Sequence, residues 1–227
     1  MEKMQSDYSV FDIVGPIIIG PSSSHTGGAC RLAGAARAIF NKPIDDVEIH
    51  VYGSFAATLR GHGTDKALVG GLIGLKPDDE RLPNALDLAR EAGLKYRFVI
   101  EEEMAAQPNL VRFEMRNDKE GAYMSVSGAS VGGGNIIVTR INNTALQISL
   151  KYHTLVVDHL DRPGAVLSVA KILAANQINI ASMNMYRQGK HDRAYMIIEI
   201  DQPIERPVLL ALRSLPNMSV IYIPQLY

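Results

Sequence analysis

Tryptophan is absent and cysteine occurs once, as Cys30, in a chain of 227 residues. One thiol cannot hold an iron-sulfur cluster, which takes several thiolates. An excess of either charge is missing too: 23 Lys and Arg stand against 24 Asp and Glu, for a net charge of -1. With aromatic residues at only 6%, the chain has no basic, stacking footprint, and nucleic-acid binding is not expected. No segment reaches the ~18 consecutive apolar residues of a membrane span, and Met1 to Tyr8 are polar, which predicts a cytoplasmic protein without membrane attachment. There is no internal repeat and no low-complexity run. Gly132-Gly133-Gly134 is followed by neither a Walker lysine nor a third glycine at dinucleotide spacing, so it does not read as a phosphate loop. Hydrophobic residues at 47% and charged residues at 21% are ordinary for a globular protein, and the length suits two domains that each bury a core.

What is present is a hydroxyl-rich loop running into a helix, from Gly15 to Arg31, with Gly20-Pro21-Ser22-Ser23-Ser24-His25-Thr26 at its centre. Pro21 ends an apolar run, Thr26 is the expected N-cap, and Ala29, Leu32, Ala33, Ala36, Ile39 and Phe40 recur at helical spacing. A carboxylate or phosphate at that helix start gains roughly 0.3-2 kcal/mol from the dipole and about 1.5-3 kcal/mol per charge-assisted hydrogen bond. The plain alternative is a capped, serine-rich turn without a ligand.

A second element follows the alternating strand Val47 to Tyr52: Gly53-Ser54-Phe55, then Gly61-His62-Gly63-Thr64-Asp65. A histidine between two glycines sits where the backbone can take positive φ and let a ligand approach the imidazole. Thr64 or Asp65 is expected to cap the helix through Ala67, Leu68, Leu72 and Ile73. His50 alternates with apolar neighbours and is expected to face water or a covering helix. His153, His159 and His191 carry no pattern.

Taken in order and spacing, the Ser22 to Thr26 loop, Gly61-His62-Gly63-Thr64-Asp65 and Ser130-Val131-Gly132-Gly133-Gly134 resemble the iron-sulfur-dependent bacterial L-serine dehydratases over the first ~145 residues. A related fold occurs as a regulatory insert in some phosphoglycerate dehydrogenases. The resemblance implies an N-terminal mixed α/β, substrate-binding-type domain, and places the triple-glycine segment near an interdomain site. Members often carry His-Pro-Asn where this chain has Gln107-Pro108-Asn109.

The rest of the chain is similar to an ACT domain, through the Leu160-Asp161-Arg162-Pro163-Gly164 turn and the Ile178-Asn179-Ile180 step. Pro163 suits a first helical position, and Val166, Leu167, Ala170, Leu173 and Ala174 form an apolar stripe behind it. Strands at His153-His159, Ile178-Met185, Ala194-Ile200 and Met218-Pro224, with helices after Pro163 and at Pro207-Leu215, give the order βαββαβ, a ferredoxin-like unit. The fold class is therefore α+β. Domains are expected at residues 1-145 and 146-227, divided at the polar break Asn142-Asn143-Thr144. The ACT resemblance implies ligand contacts at Asp161, Arg162, Gly164, Asn179 and Ile180, and self-association through the sheets, since the last strand leaves an open edge.

Between these parts, Pro83 to Ala92 reads as an amphipathic helix, Lys95 to Ile100 as a strand, and Leu110 to Arg116 with Ala122 to Val126 as a hairpin. Glu101-Glu102-Glu103 reads as a solvated edge, because adjacent strand residues point to opposite faces and do not share a metal. No metal-ligand set is expected. Cys30 falls on the helix behind the serine loop, where a small buried thiol is the ordinary reading.

Because the family's chemistry depends on a four-iron four-sulfur cluster, the resemblance implies that this chain is a beta subunit and that a cysteine-rich alpha subunit carries the cluster. The implied reaction is α,β-elimination of L-serine to pyruvate and ammonia, with His62 as the base. Ser22, Ser23, Ser24, His25 and Thr26, with Gly61, Gly63 and Thr64, would bind the substrate. The serine loop serves either that reaction or a separate regulatory serine site. The competing class is a non-catalytic module that senses an amino acid for a partner enzyme.

Overall fold

The computed structural model describes residues 17-103, 107-187, 189 and 192-225. His191 and Met1 to Tyr8 lie outside the described residues.

Alternation in β1 (Asp46–Val51) turns Val47, Ile49 and Val51 inward to complete burial and leaves Glu48 and His50 on the opposite face. β1 runs parallel to β2 (Lys95–Ile100) and antiparallel to β3 (Leu110–Asn117). β4 (Ala122–Gly132), β5 (Asn135–Ile141) and β6 (Thr144–Ile148) continue as an antiparallel meander, giving the order β2-β1-β3-β4-β5-β6. The parallel step needs a crossover, which is supplied by three helices: α2 (Gly53–Ala57), α3 (Thr64–Leu72) and α4 (Ala85–Glu91). Together with α1 (Ala29–Phe40), they contribute to the core built on the Val47, Ile49 and Val51 face.

Small residues set the spacing of the two longest helices in this layer. A Cβ at Gly71 of α3 would strike the Cys30 carbonyl, and it would lie 2.7 Å from the Cβ of Ala33 on α1. Only hydrogen at that position lets the helices pack this closely.

The second sheet holds β7 (His153–Leu160), β8 (Ile180–Arg187), β9 (Arg193–Ile200) and β10 (Met218–Ile223) in the order β10-β7-β9-β8, with α5 (Ala165–Ala175) and α6 (Arg206–Arg213). This is the expected ferredoxin-like βαββαβ unit, and it completes the α+β class. One sheet face packs on α5 and α6 through Leu155, Val157, Met196 and Ile198. From the other face, Val156, Ile197 and Ile223 join the core of the first sheet. The two units thus share buried apolar surface.

The expected 145/146 division falls inside β6, and the first sheet runs on to Ile148. Asn142 and Asn143 form the hairpin turn between β5 and β6, with Asn142 at φ 49°. Two adjacent asparagines suit a left-handed turn as well as a linker, which is why the polar break reads as a boundary.

Candidate active site

At the C-terminal end of β1, the chain passes through Tyr52 into α2, and the two histidine motifs meet there. The first motif begins one turn earlier than expected. Ser22, with extended backbone, is the N-cap, and its Oγ accepts from the His25 amide at 3.2 Å. A π-helical turn, Ser23–Gly28, then runs straight into α1. Thr26 therefore lies inside the helix, 3% exposed, and its Oγ1 donates to the His62 carbonyl at 3.2 Å. That bond ties the serine loop to the Gly-His-Gly loop.

His25 sits among three hydroxyls. Its Nδ1 is 3.0 Å from Ser24 Oγ and 3.3 Å from Ser22 Oγ, and its Nε2 is 2.8 Å from Ser54 Oγ. Hydroxyls donate or accept, so they satisfy a neutral imidazole on both sides. Burial first, and the neighbouring His62 second, hold the His25 pKa below the ordinary imidazole value. The two rings meet edge to face, with centroids 5.0 Å apart and planes at 86°.

His62 itself is exposed. Of its flanking glycines, Gly63 takes positive φ, 66°, and occupies the N-cap of α3, while Gly61 stays out of the left-handed region. Thr64 and Asp65, expected as caps, are the first helical residues. Gly63 has no side chain to offer, and the first amides are met otherwise: the Asp65 amide donates to the Leu59 carbonyl at 3.1 Å, and Asp65 Oδ1 accepts from the Lys66 amide at 2.8 Å. Thr64 is fully buried.

Three participants, Ser54, Asn109 and Ser130, stand in segments noted above but are not among the expected site residues. Ser54 opens α2 behind Gly53, whose φ is 50° and where a Cβ would stand 2.7 Å from the Pro108 carbonyl. The Ser54 amide donates to that carbonyl at 2.7 Å, which brings Gln107-Pro108-Asn109 to the site. The Asn109 carbonyl accepts from the Ser130 amide at 3.1 Å, and a Cβ at Gly28 would collide with the Ser130 side chain. The third motif therefore packs on the first, and Arg31 donates to the Gly134 carbonyl at 3.0 Å. The sequence signal for Ser54 was its place directly after a glycine at a strand end.

Four buried side-chain atoms in these segments lack a hydrogen-bond partner among the described residues: Thr64 Oγ1, Gln107 Oε1, Asn109 Oδ1 and Ser130 Oγ. Buried polar atoms are nearly always paired, so these four remain open to a polar partner. Cys30, just behind on α1, is no ligand. It is 1% exposed and its Sγ donates to the Leu75 carbonyl; burial, with Asp78 and Asp79 nearby, outweighs Arg31 and pushes the thiol up to about 12.

In the second sheet the expected ligand residues separate. Asp161, Arg162 and Gly164 form the turn after β7, where Leu160 pairs with Arg193; Ile180 pairs with Ile200 at the other end of β9, with Asn179 just before it. Asp161 is engaged with Arg187 at 3.2 Å, and Asn179 with Asp201 at 2.6 Å. Gly164, φ 89°, caps α5. A cavity of about 180 Å³ lies beside this turn, lined by His159, Arg162, Gly164, Ser168 and Asn217. His153 stacks on Tyr222, whose hydroxyl is 2.8 Å from its Nδ1.

His50, expected toward water or a helix, is only 8% exposed, held among Glu48, Glu101, Glu114 and Arg112 on the sheet face away from α1 and α3. Glu101 correspondingly departs from the solvated edge: the strand pairing that ends at Ile100 turns its carboxylate onto His50 Nδ1 at 2.6 Å. Glu102 and Glu103 are exposed. Among the described residues, no helix is long and apolar enough to cross a membrane.

A family model described as serine dehydratase beta chain matches residues 9-92, and one described as ACT domain matches residues 153-217. The probable L-serine dehydratase beta chain of Bacillus subtilis is 39% identical over 210 residues, covering 92% of this chain and 94% of that protein. The L-serine dehydratase beta chain of Peptoniphilus asaccharolyticus is 37% identical over 217 residues, covering 94% and 96%. A D-3-phosphoglycerate dehydrogenase of Bacillus subtilis is 25% identical over 178 residues, 78% of this chain and 33% of that protein. With two relatives matched almost end to end, and the three motifs gathered at one sheet end, the chain belongs to the family of L-serine dehydratase beta chains.

Proposed function

We infer that this chain is the beta subunit of a two-chain L-serine ammonia-lyase, and that the His25-His62 site binds L-serine for elimination to pyruvate and ammonia. The observation that carries the reading is the meeting of an exposed histidine with a hydroxyl-lined neutral imidazole at one helix start. An amino-acid carboxylate suits the start of the helix that opens at Ser23, where Ser22 and Ser24 supply hydroxyl donors.

The hydrogen on Cα is weakly acidic and must leave to a base. Histidine is the residue type whose ordinary pKa fits that task near neutrality, and His62 is the exposed ring of the pair. Loss of that proton and of the hydroxyl leaves aminoacrylate, which takes up water and releases ammonia to give pyruvate. His25, kept neutral, holds Ser24 and Ser54 in place and puts no positive charge beside the base that must accept a proton.

Departure of hydroxide needs an electrophile, and the group implied by the family is a four-iron four-sulfur cluster. This chain does not fit it: the single thiol is buried, hydrogen-bonded and hard to ionise. The cluster is accordingly assigned to a cysteine-rich alpha subunit, a partner also implied by relatives named as beta chains. A cytoplasmic setting suits such a cluster. Self-association through the ACT sheet, whose edge strands are β8 and β10, completes the proposed assembly.

The test is anaerobic reconstitution with the alpha chain and assay of pyruvate from L-serine. Serine-dependent pyruvate that collapses in His62→Ala supports the reading, and near-normal turnover in that variant rejects His62 as the base. A second reading, an amino-acid-sensing module, is favoured by the phosphoglycerate dehydrogenase match, which spans both sheets. It predicts serine binding by this chain with no pyruvate from the reconstituted pair.

A further inference from the structure

On the sheet face turned away from the helices, β1 and β3 place two glutamates directly opposite one another: Glu48 pairs with Glu114 in the antiparallel register. Like charges at directly paired positions repel across a sheet. His50, two residues along β1 on the same face, stands between them, with Nε2 at 3.8 Å from Glu48 Oε2 and 3.7 Å from Glu114 Oε1. That nitrogen is buried and has no hydrogen-bond partner among the described residues, although the residue is only 8% exposed.

The other ring nitrogen explains why. Glu101 Oε1 lies 2.6 Å from Nδ1, closer than Arg112 Nη2 at 3.1 Å, which assigns the ring proton to Nδ1. The Nε2 lone pair then faces two carboxylate oxygens, neither of which can donate to it. A carboxylate on the far nitrogen is also the arrangement that orients metal-binding histidines. Arg97 engages Glu48 through Oε1 at 2.6 Å and leaves Oε2 turned to His50, while Arg112 Nε stands 3.4 Å from Glu114 Oε1.

We propose that Glu48, His50 and Glu114 form a site for a divalent transition-metal cation, zinc fitting best, that ties β1 to β3. One imidazole and two carboxylates make a three-ligand set of the kind zinc accepts, with a fourth position left to water or to a partner's side chain. Bonds of about 2.1 Å in tetrahedral array put ligand atoms roughly 3.4 Å apart. The three ligand atoms here all lie within 4.8 Å of one another, so closure asks for small side-chain movements and no backbone shift.

The experiment is zinc titration of the purified full-length chain after stripping with a chelator, read by metal content after dialysis and by Tm. One zinc per chain is expected, with a rise in Tm. His50→Ala and Glu114→Gln should each weaken binding by at least about 100-fold, and Glu101→Gln, a positioning residue, by about 10-100-fold. Because His50→Ala removes a buried ring and can unfold the sheet, Glu114→Gln carries the test in that event. His62→Ala, which disturbs the other histidine pair, should leave zinc content unchanged. No retained zinc, equal retention in Glu114→Gln, or loss in His62→Ala overturns the proposal.

Discussion

At the end of the first sheet, a single chain collects Ser24, His25, Ser54, His62, Asn109 and Ser130 from four separate segments through short bonds and close glycine contacts. In the second sheet the residues expected to act together lie a strand length apart, and each is engaged locally. The first cluster is gathered within one copy. The second would use both ends only if another copy brought its own Asn179 and Ile180 to the Asp161-Gly164 turn.

The largest expected effect tests the first half of that contrast. In the reconstituted pair, His62→Ala should lower turnover by about 10²-10⁴-fold, the ordinary share of a general base. Its ring is exposed, so chemical unfolding should shift by no more than about 0.5 kcal/mol. A loss of activity that follows a loss of stability would assign the ring a structural role instead. Next is Gly53→Ala, where a methyl group meets the Pro108 carbonyl 2.7 Å away and the backbone is at φ 50°. About 1-3 kcal/mol of stability should disappear, with turnover falling in step, because Gly53 sets the approach of Gln107-Pro108-Asn109.

The second half is sharpened by concentration. If the ACT contacts need two copies, amino-acid binding measured calorimetrically should weaken on dilution through the dimer-monomer transition, by roughly tenfold or ~1.4 kcal/mol. Arg162→Ala should abolish it without altering basal turnover. Binding that persists at full strength in the monomer would place the ligand in the cavity beside His159 and remove the contrast.

A smaller effect follows from His25. Its folded-state pKa lies below the ordinary ~6.5, so the unfolded chain takes the proton first as pH falls. Above about pH 6.5 both states are neutral and the group contributes nothing to the pH dependence. Stability should then be lost as pH drops through that value toward the folded pKa. Urea midpoints at pH 7.5 and 5.5 should therefore diverge more for the parent chain than for His25→Gln. Parallel curves would show that the ring accepts its charge without cost.

Much of this was legible beforehand, and the exceptions share a cause. Strands such as Lys95–Ile100 and the βαββαβ order follow from local alternation and turn chemistry, which the chain carries in consecutive residues. The meeting of His25 with His62 was implied by motif resemblance. Ser54, Asn109 and Ser130 join it through Pro108 carbonyl and sheet-register contacts that no local spacing encodes. His50 departs from expectation for the same reason: its neighbours Glu101, just past β2, and Glu114, on β3, lie 51 and 64 positions along. The expected cap at Thr26 gives way to Ser22 because four hydroxyl residues within five positions, Ser22, Ser23, Ser24 and Thr26, all satisfy the cap preference, and only the backbone angle chooses among them.

The smallest effect tests whether the two sheets can be compared as separate units at all. Glu199 on β9 accepts from Ser182 on β8 and from Ser149 just past β6, both at 2.8 Å, so one carboxylate bridges the segment leaving the first sheet to the second. Val156, Ile197 and Ile223 add apolar contact across the same junction. Ser149→Ala removes one hydrogen bond to a charged acceptor and leaves the other, which should cost about 1 kcal/mol, or some 2-4 °C in Tm for a chain of this size. Because the core is shared, the loss should appear as a shift of a single transition, with fluorescence from tyrosines of both sheets and backbone ellipticity moving together. If the substitution instead splits the melt in two, the ACT unit is held only by that bridge. Its ligand could then reach the His25-His62 site only by changing how the units dock.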